Sequence, residues 1–179
     1  VVLQYYGDRD SFHRSLCGEG ITILDGDKSI TNKDSKQIGL FTVYGTTVID
    51  SMVDACYVWK FEQLGTDTYC TNFGIAPENG SLTATAFYLA KDKGIYAYHC
   101  GGSNCASGHT YSWQQSERSG WPRFVNMGDI LTMTLRFRKG AKSGNLSFQI
   151  NETEEFEAFS DVVREQGLSY RLAVCNNTG

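Results

Sequence analysis

The chain has 179 residues, 41% of them hydrophobic and 13% aromatic, with two prolines and a net charge of −4. That composition describes one folded globular domain and excludes a disordered chain. The acidic balance lacks the basic footprint of a nucleic-acid binder. No run approaches the roughly 18 apolar residues that cross a bilayer, and the opening VVLQYYGDRD has no signal-peptide pattern, so neither nucleic acid nor membrane insertion is expected.

In chain order, Ile21 and Ile23 precede an Asp25-Gly26-Asp27 turn in the manner of a strand, and a further strand is expected around Leu40 to Tyr44. Tyr57, Trp59 and Phe61 alternate with Val58, Lys60 and Glu62, which places the three aromatics on one buried face. Strands follow around Tyr69 to Ile75, Ala84 to Leu89 and Gly94 to Tyr98. In Ile130 to Phe137, Leu131, Met133, Leu135 and Phe137 share one side. Asn145 to Ile150 repeats the alternation, and the two glycines of the intervening KGAKSG allow the chain to turn, so the pair reads as an antiparallel hairpin. Only Glu155 to Gln166 carries a helical spacing, through Phe156, Phe159, Val162 and Val163, with Gly167 as its stop. A last strand is expected at Tyr170 to Val174. Many short strands without βαβ alternation predict an all-β, two-sheet antiparallel sandwich in a single domain.

Candidate chemistry is sparse. There is no GxSxG elbow, phosphate loop, GxGxxG or HExxH, and Asp25-Gly26-Asp27-Lys28-Ser29 departs from a calcium loop at Ile30 and Lys36, where Gly and Glu are required. The stretch His99 to His109, HCGGSNCASGH, offers Cys100, Cys105 and His109 at irregular spacing, short of the four ligands of a structural zinc site. It reads as a Gly/Ser-rich surface loop, with a Cys100–Cys105 disulfide as the alternative. No catalytic residue, metal or cofactor is expected. The six cysteines (Cys17, Cys56, Cys70, Cys100, Cys105, Cys175) are spread through a chain large enough not to need staples, which favours reduced thiols and a cytoplasmic setting. Four sequons, at Asn79, Asn145, Asn151 and Asn176, would be glycosylation sites if the chain were secreted. Thr110 to Met127 reads as a long connection carrying Tyr111, Trp113, Arg118, Trp121 and Arg123, residue types enriched in binding hot spots; the alternative is that Trp121-Pro122 and Phe124 anchor the loop to the sandwich.

Taken together, Gly128-Asp129-Ile130 and its alternating strand, Gly144-Asn145-Leu146-Ser147-Phe148 with Asn151, Ala158-Phe159, and Tyr170-Arg171-Leu172-Ala173-Val174 resemble the C-terminal half of a SPRY domain. Upstream, ITILDGDKSIT (Ile21 to Thr31), Val58-Trp59-Lys60-Phe61, FGIAPE (Phe73 to Glu78) and GIYAYHCGG (Gly94 to Gly102) resemble that family's earlier strands. There is no counterpart of a PRY segment, the turn Arg138 to Gly144 is longer and more basic than usual, and the further strand expected after Val174 is missing, so residues 1–16 would fill that edge unless the chain is cut short. The resemblance implies a bent, concanavalin-like jelly-roll sandwich spanning residues 1–179, with 1–19 as an N-terminal extension or edge strand and 20–175 as the SPRY core.

It also implies a non-enzymatic module that recognises a protein or short peptide through loops at one end. The partner-binding candidates are Tyr98 and His99 in the strand-to-loop segment, Trp113, Arg118 and Trp121 in the long connection, and Cys175 and Asn176 after the last core strand. Tyr98 is expected to keep its hydroxyl and one ring face open to a ligand. The alternative from another class is a secreted, glycosylated sandwich that binds carbohydrate or builds an extracellular assembly.

Overall fold

The computed structural model describes residues 2–7, 10–24, 26–32, 40–64, 71–79, 93–100 and 107–177. Within them the strands in chain order are β1 (Val2–Tyr6), β2 (Phe12–Cys17), β3 (Ile21–Leu24), β4 (Ser29–Asn32), β5 (Leu40–Gly45), β6 (Ile49–Asp50), β7 (Ala55–Gln63), β8 (Thr71–Pro77), β9 (Tyr96–His99), β10 (Gly108–Ser112), β11 (Gln115–Trp121), β12 (Ile130–Phe137), β13 (Ser143–Ile150), β14 (Phe156–Val163) and β15 (Ser169–Asn177). They form two sheets. The first runs β14-β13-β12-β7-β1-β4-β3, and the second β11-β10-β9-β8-β15-β5-β2, with β6 beside β15. Every pairing is antiparallel.

The alternation in the sequence sets which side chains fill the space between the sheets. Leu131, Met133, Leu135 and Phe137 of β12 meet Leu146, Phe148 and Ile150 of β13 and Trp59 and Phe61 of β7, all buried in one cluster with Phe73, Ile75, Tyr96, Tyr98, Leu172 and Val174 from the second sheet. The hairpin of β12 and β13 has the expected pairing, from Leu131 opposite Ile150 to Arg136 opposite Asn145. The expected strand at Ala84 to Leu89 lies outside the described residues. The N-terminal segment is more deeply integrated than an extension: β1 is inserted between β7 and β4, while β2 forms the edge beyond β5.

The helix expected at Glu155 to Gln166 is a strand. Phe148 pairs with Phe156 and Leu146 with Phe159, and Gly144 pairs with Val162. Each step of two residues on β13 is therefore matched by three on β14, the signature of two successive bulges. Bulges turn a period of two into a local period of three, and Phe156, Phe159 and Val162 then mimic a helical stripe. A bulged strand also leaves backbone groups without ladder partners. Here Tyr96 of β9 crosses from the other sheet: its hydroxyl accepts from Val163 N at 3.0 Å and donates to Asp161 O at 3.1 Å. Tyr170 of β15 donates to Val163 O at 2.9 Å.

Trp59 is anchored as well as buried. Its Nε1 donates to Asp10 Oδ2 at 2.9 Å, and Asp10 Oδ1 accepts from Ser11 N, Thr46 Oγ1 and Thr47 N. The residue thus ties the first sheet to the turn after β5. Trp59→Ala removes a buried indole and strands this carboxylate, and is expected to cost about 3–5 kcal/mol in urea unfolding. A variant losing under about 1 kcal/mol would contradict this role.

Burial raises the phenol pKa of Tyr96, Tyr98 and Tyr170. Each is neutral in the native chain but ionises near the ordinary value of about 10 once unfolded. Their stabilising contribution is therefore complete below about pH 10 and declines as the pH rises past it toward the folded-state values. The urea midpoint should fall between about pH 9 and pH 11, and fall less steeply in Tyr170→Phe.

Candidate functional site

The second sheet has a second buried face, turned away from the sandwich core. Because Tyr96 and Tyr98 point inward, Ala97 and His99 point outward. Strand register then assembles two rows across the sheet. One runs Thr42 (β5), Cys175 (β15), Asn72 (β8), His99 (β9), His109 (β10), each opposite its neighbour. The other runs Tyr44, Ala173, Gly74, Ala97, Tyr111 in the same order. Small residues thus lie between two tyrosines, and Tyr44, Ala97 and Ala173 belong to a second buried cluster with Leu16 and Tyr111 packed against it. Gly74 is required there, since a Cβ would sit 1.9 Å from the carbonyl oxygen of Tyr96.

The polar row lies at the end of the sheet where β5 and β8 begin and β9 and β15 finish. His99 packs edge-on to His109 with ring centroids 5.7 Å apart and to Tyr111 at 6.2 Å, and His109 lies nearly parallel to Tyr111 at 6.5 Å. Burial pushes the Cys175 thiol up to about 12, so it stays protonated. At the centre of the row stands Asn72. It is fully buried, and among the described residues neither its Nδ2 nor its Oδ1 has a hydrogen-bond partner. Buried amides are almost always paired, and one left open costs about 1–3 kcal/mol.

Of the candidates named from sequence, His99 and Cys175 belong to this row, and Asn176 follows on β15 with its side chain outside the described residues. Tyr98 points the other way. Its ring is fully buried against Phe148 at 5.0 Å and Phe156 at 5.7 Å, its hydroxyl donates to Pro122 O, and neither hydroxyl nor ring face is open to a ligand. The contact is close enough that a Cβ on Gly108 would lie 2.7 Å from the ring. The connection Thr110 to Met127 is largely a hairpin, with β10 and β11 turning at Trp113 and Gln114. Trp113 is half-buried beside the Tyr96 hydroxyl, Trp121 stacks on Phe156 at 4.7 Å and donates Nε1 to Thr110 Oγ1 at 3.1 Å, and Phe124 is fully buried. The anchoring alternative therefore describes Trp121 and Phe124. Arg118 is exposed on β11, opposite Thr110. The row and these hairpin residues do not form one site.

Cys100 is buried as a thiol whose sulfur accepts from Thr71 N at 3.3 Å, rather than a disulfide; Cys105 lies outside the described residues. Among the described residues no group of His, Cys, Asp and Glu is arranged to hold a metal. The sequons differ in setting. Asn79 is exposed in the turn after β8, and Asn145 donates to Glu157 at 2.5 Å on the outer face of β13. Asn151 has a positive φ of 53°, donates to Asp129 Oδ1 at 3.0 Å and accepts from Ile130 N at 2.8 Å, so its amide closes a turn. Sequence reasoning passed over Asn72, although the alternation Asn72, Gly74, Ala76 against Phe73 and Ile75 marks a strand whose second face is small and polar rather than solvated.

No family model and no curated protein matches the chain in sequence. Solved structures match it in fold. Peanut lectin with a nine-residue peptide superposes with a TM-score of 0.61 at 12% identity, over 99% of this chain and 90% of the lectin. A mutant of the Emp46p carbohydrate recognition domain gives 0.57 at 9% identity, over 97% and 81% of the two chains. Lectin UEA-II complexed with galactose gives 0.53 at 13% identity, over 98% and 89%. The chain is a concanavalin-like β-sandwich.

Tyr98→Ala is expected to cost about 3–5 kcal/mol and Tyr98→Phe about 1 kcal/mol in urea unfolding, from the lost ring and the lost bond to Pro122 respectively. Near-wild-type stability of Tyr98→Ala would return Tyr98 to the ligand surface.

Proposed function

We propose that this chain is a non-enzymatic saccharide-binding module, with the sugar taken at the row centred on Asn72 between His99 and Cys175. The observation that carries the reading is the buried, unpaired carboxamide of Asn72. An amide presents a donor and an acceptor side by side, and adjacent sugar hydroxyls, each both donor and acceptor, complement that pair. Beside it, the half-buried His109 and Tyr111 offer ring surface for the apolar face of a pyranose.

The lectin likenesses support this choice over the peptide-binding expectation, since all three neighbours are named as lectins or carbohydrate recognition domains. Nothing in the row supplies the paired acid and base of glycoside cleavage: its polar members are Thr42, Cys175, Asn72, His99 and His109.

The test separates function from stability. Asn72→Leu keeps the volume and removes two unpaired polar atoms, so the free protein should hold or raise its melting temperature by a few degrees. Saccharide capture on a glycan array, quantified by calorimetry with the best sugar, should fall at least tenfold. A variant that melts much lower, or a wild-type chain that captures no glycan, would defeat the reading.

A further inference from the structure

At the end of the molecule opposite the polar row, where β9 and β15 begin, β7 and β13 also begin and β12 and β14 finish. One side chain holds three of the turns there together. Arg164, just after β14 and with its side chain only 9% exposed, donates Nη1 to the carbonyls of Arg138 at 2.8 Å and Ala141 at 3.4 Å in the turn between β12 and β13. Its Nη2 donates to Met52 O at 2.8 Å and to Asp54 Oδ1 at 2.5 Å in the turn before β7, and the guanidinium lies over the Phe137 ring at 5.8 Å. The turn before β7 is fixed a second time. The buried Ser51 hydroxyl donates to Glu165 O at 2.9 Å and accepts from Glu165 N at 3.2 Å, and Asp50 Oδ1 accepts from Met52 N at 2.8 Å.

A segment pinned this firmly still keeps apolar side chains in water. Val48, Met52 and Val53 are 44%, 50% and 49% exposed. Across the Arg164 bridge, the turn between β12 and β13 presents Arg138, Lys139 and Lys142, all exposed, and none of them forms an ion pair among the described residues. The acids of these turns are committed elsewhere: Asp54 is paired with Arg164, Glu165 is paired with Lys93 at 2.7 Å, and Asp50 caps the turn at Met52. Three uncompensated cations thus stand against the single carboxylate of Asp50. A chain with a net charge of −4 carries a local positive excess beside an exposed apolar tip.

We propose that this end docks on an anionic lipid surface, with Met52 and Val53 entering the headgroup boundary and Arg138, Lys139 and Lys142 lying against the lipid phosphates and carboxylates. An anionic interface meets both demands at once, because it takes up apolar side chains and attracts cations. An acidic polypeptide would answer the cations alone. Because Arg164 and Ser51 fix the turns in the free protein, docking has little left to order. Contact of this kind lies on the bilayer and needs no spanning element. The row centred on Asn72 then points away from the lipid, and the proposal does not depend on what that row binds.

The probe is a vesicle of phosphatidylcholine with about a quarter phosphatidylserine, at about 5 mM lipid, with the bound full chain measured after sedimentation. The protein should pellet with these vesicles and not with phosphatidylcholine alone, and about 0.5 M salt should release most of it. Lys139→Glu combined with Lys142→Glu should melt normally and bind at least about tenfold more weakly. Met52→Ser combined with Val53→Ser leaves the charge unchanged and should still weaken binding at least about fivefold. Should either variant fail to fold, a spin label at the top of the acyl chains decides the question with the wild type: it should broaden the Met52 methyl resonance, and not that of Met127, which is exposed at the other end, nor that of the buried Met133. Asn72→Leu should bind vesicles as the wild type does, which separates this surface from the saccharide row. The proposal is overturned if neither vesicle retains the protein, if both retain it equally, or if the serine variant binds as well as the wild type, which would assign the cations to an acidic protein instead.

Discussion

An edge strand with two bulges must find hydrogen-bond partners for the backbone groups it frees toward the core, and in this protein phenols from the facing sheet supply them. Tyr96 bonds both Val163 N and Asp161 O, and Tyr170 takes Val163 O, so the side chains that fill the core also complete the polar accounting of β14. Tyr98 does the same for Pro122 in the segment after β11. These bonds hold β9 in one orientation. With Tyr96 and Tyr98 committed inward, Ala97 and His99 face outward, and the register of four neighbouring strands aligns Thr42, Cys175, Asn72 and His109 with His99. The polar row on the outer face is thus a consequence of how the core is closed.

The same coupling explains what was legible in the sequence. Strict alternation around Trp59, through Ile130 to Phe137 and through Asn145 to Ile150 reports a flat, half-buried strand; all three have the predicted faces, and the last two pair as the predicted hairpin. Where β14 bulges, its inward residues fall three apart, and the rule for periodicity names a helix. A bulge is decided by the partner strand and by the phenols that satisfy it, so no local window contains it. Tyr98 was misplaced for a related reason. A tyrosine at a strand end suits a core position and a ligand site equally in composition, and only the inter-sheet contact with Phe148 and Phe156 distinguishes them.

The hairpin of β10 and β11 shows a further limit. Trp113 and Trp121 look like exposed hot-spot residues when the stretch is read as a loop, but as part of a hairpin on the edge of the second sheet they reach back to Tyr96 and Phe156. Large aromatics in an irregular-looking stretch are more often anchors than contacts, because their burial is what orders the segment at all. Arg118, with no apolar surface to hide, is the member that stays exposed.

The two ends of the sandwich meet their polar demands differently. At the row, an unmet hydrogen-bonding demand is enclosed: Asn72 costs the free protein stability, and a domain with a net margin of about 5–15 kcal/mol can carry such a group. Around Trp59 the demand is met within the chain. Lys28 Nζ donates to the carbonyls of Gly7 and Asp10, and the Asp10 carboxylate accepts from Trp59 Nε1, Ser11 N, Thr46 Oγ1 and Thr47 N, so the buried indole and its acceptor satisfy each other and fix the first sheet to the turn after β5.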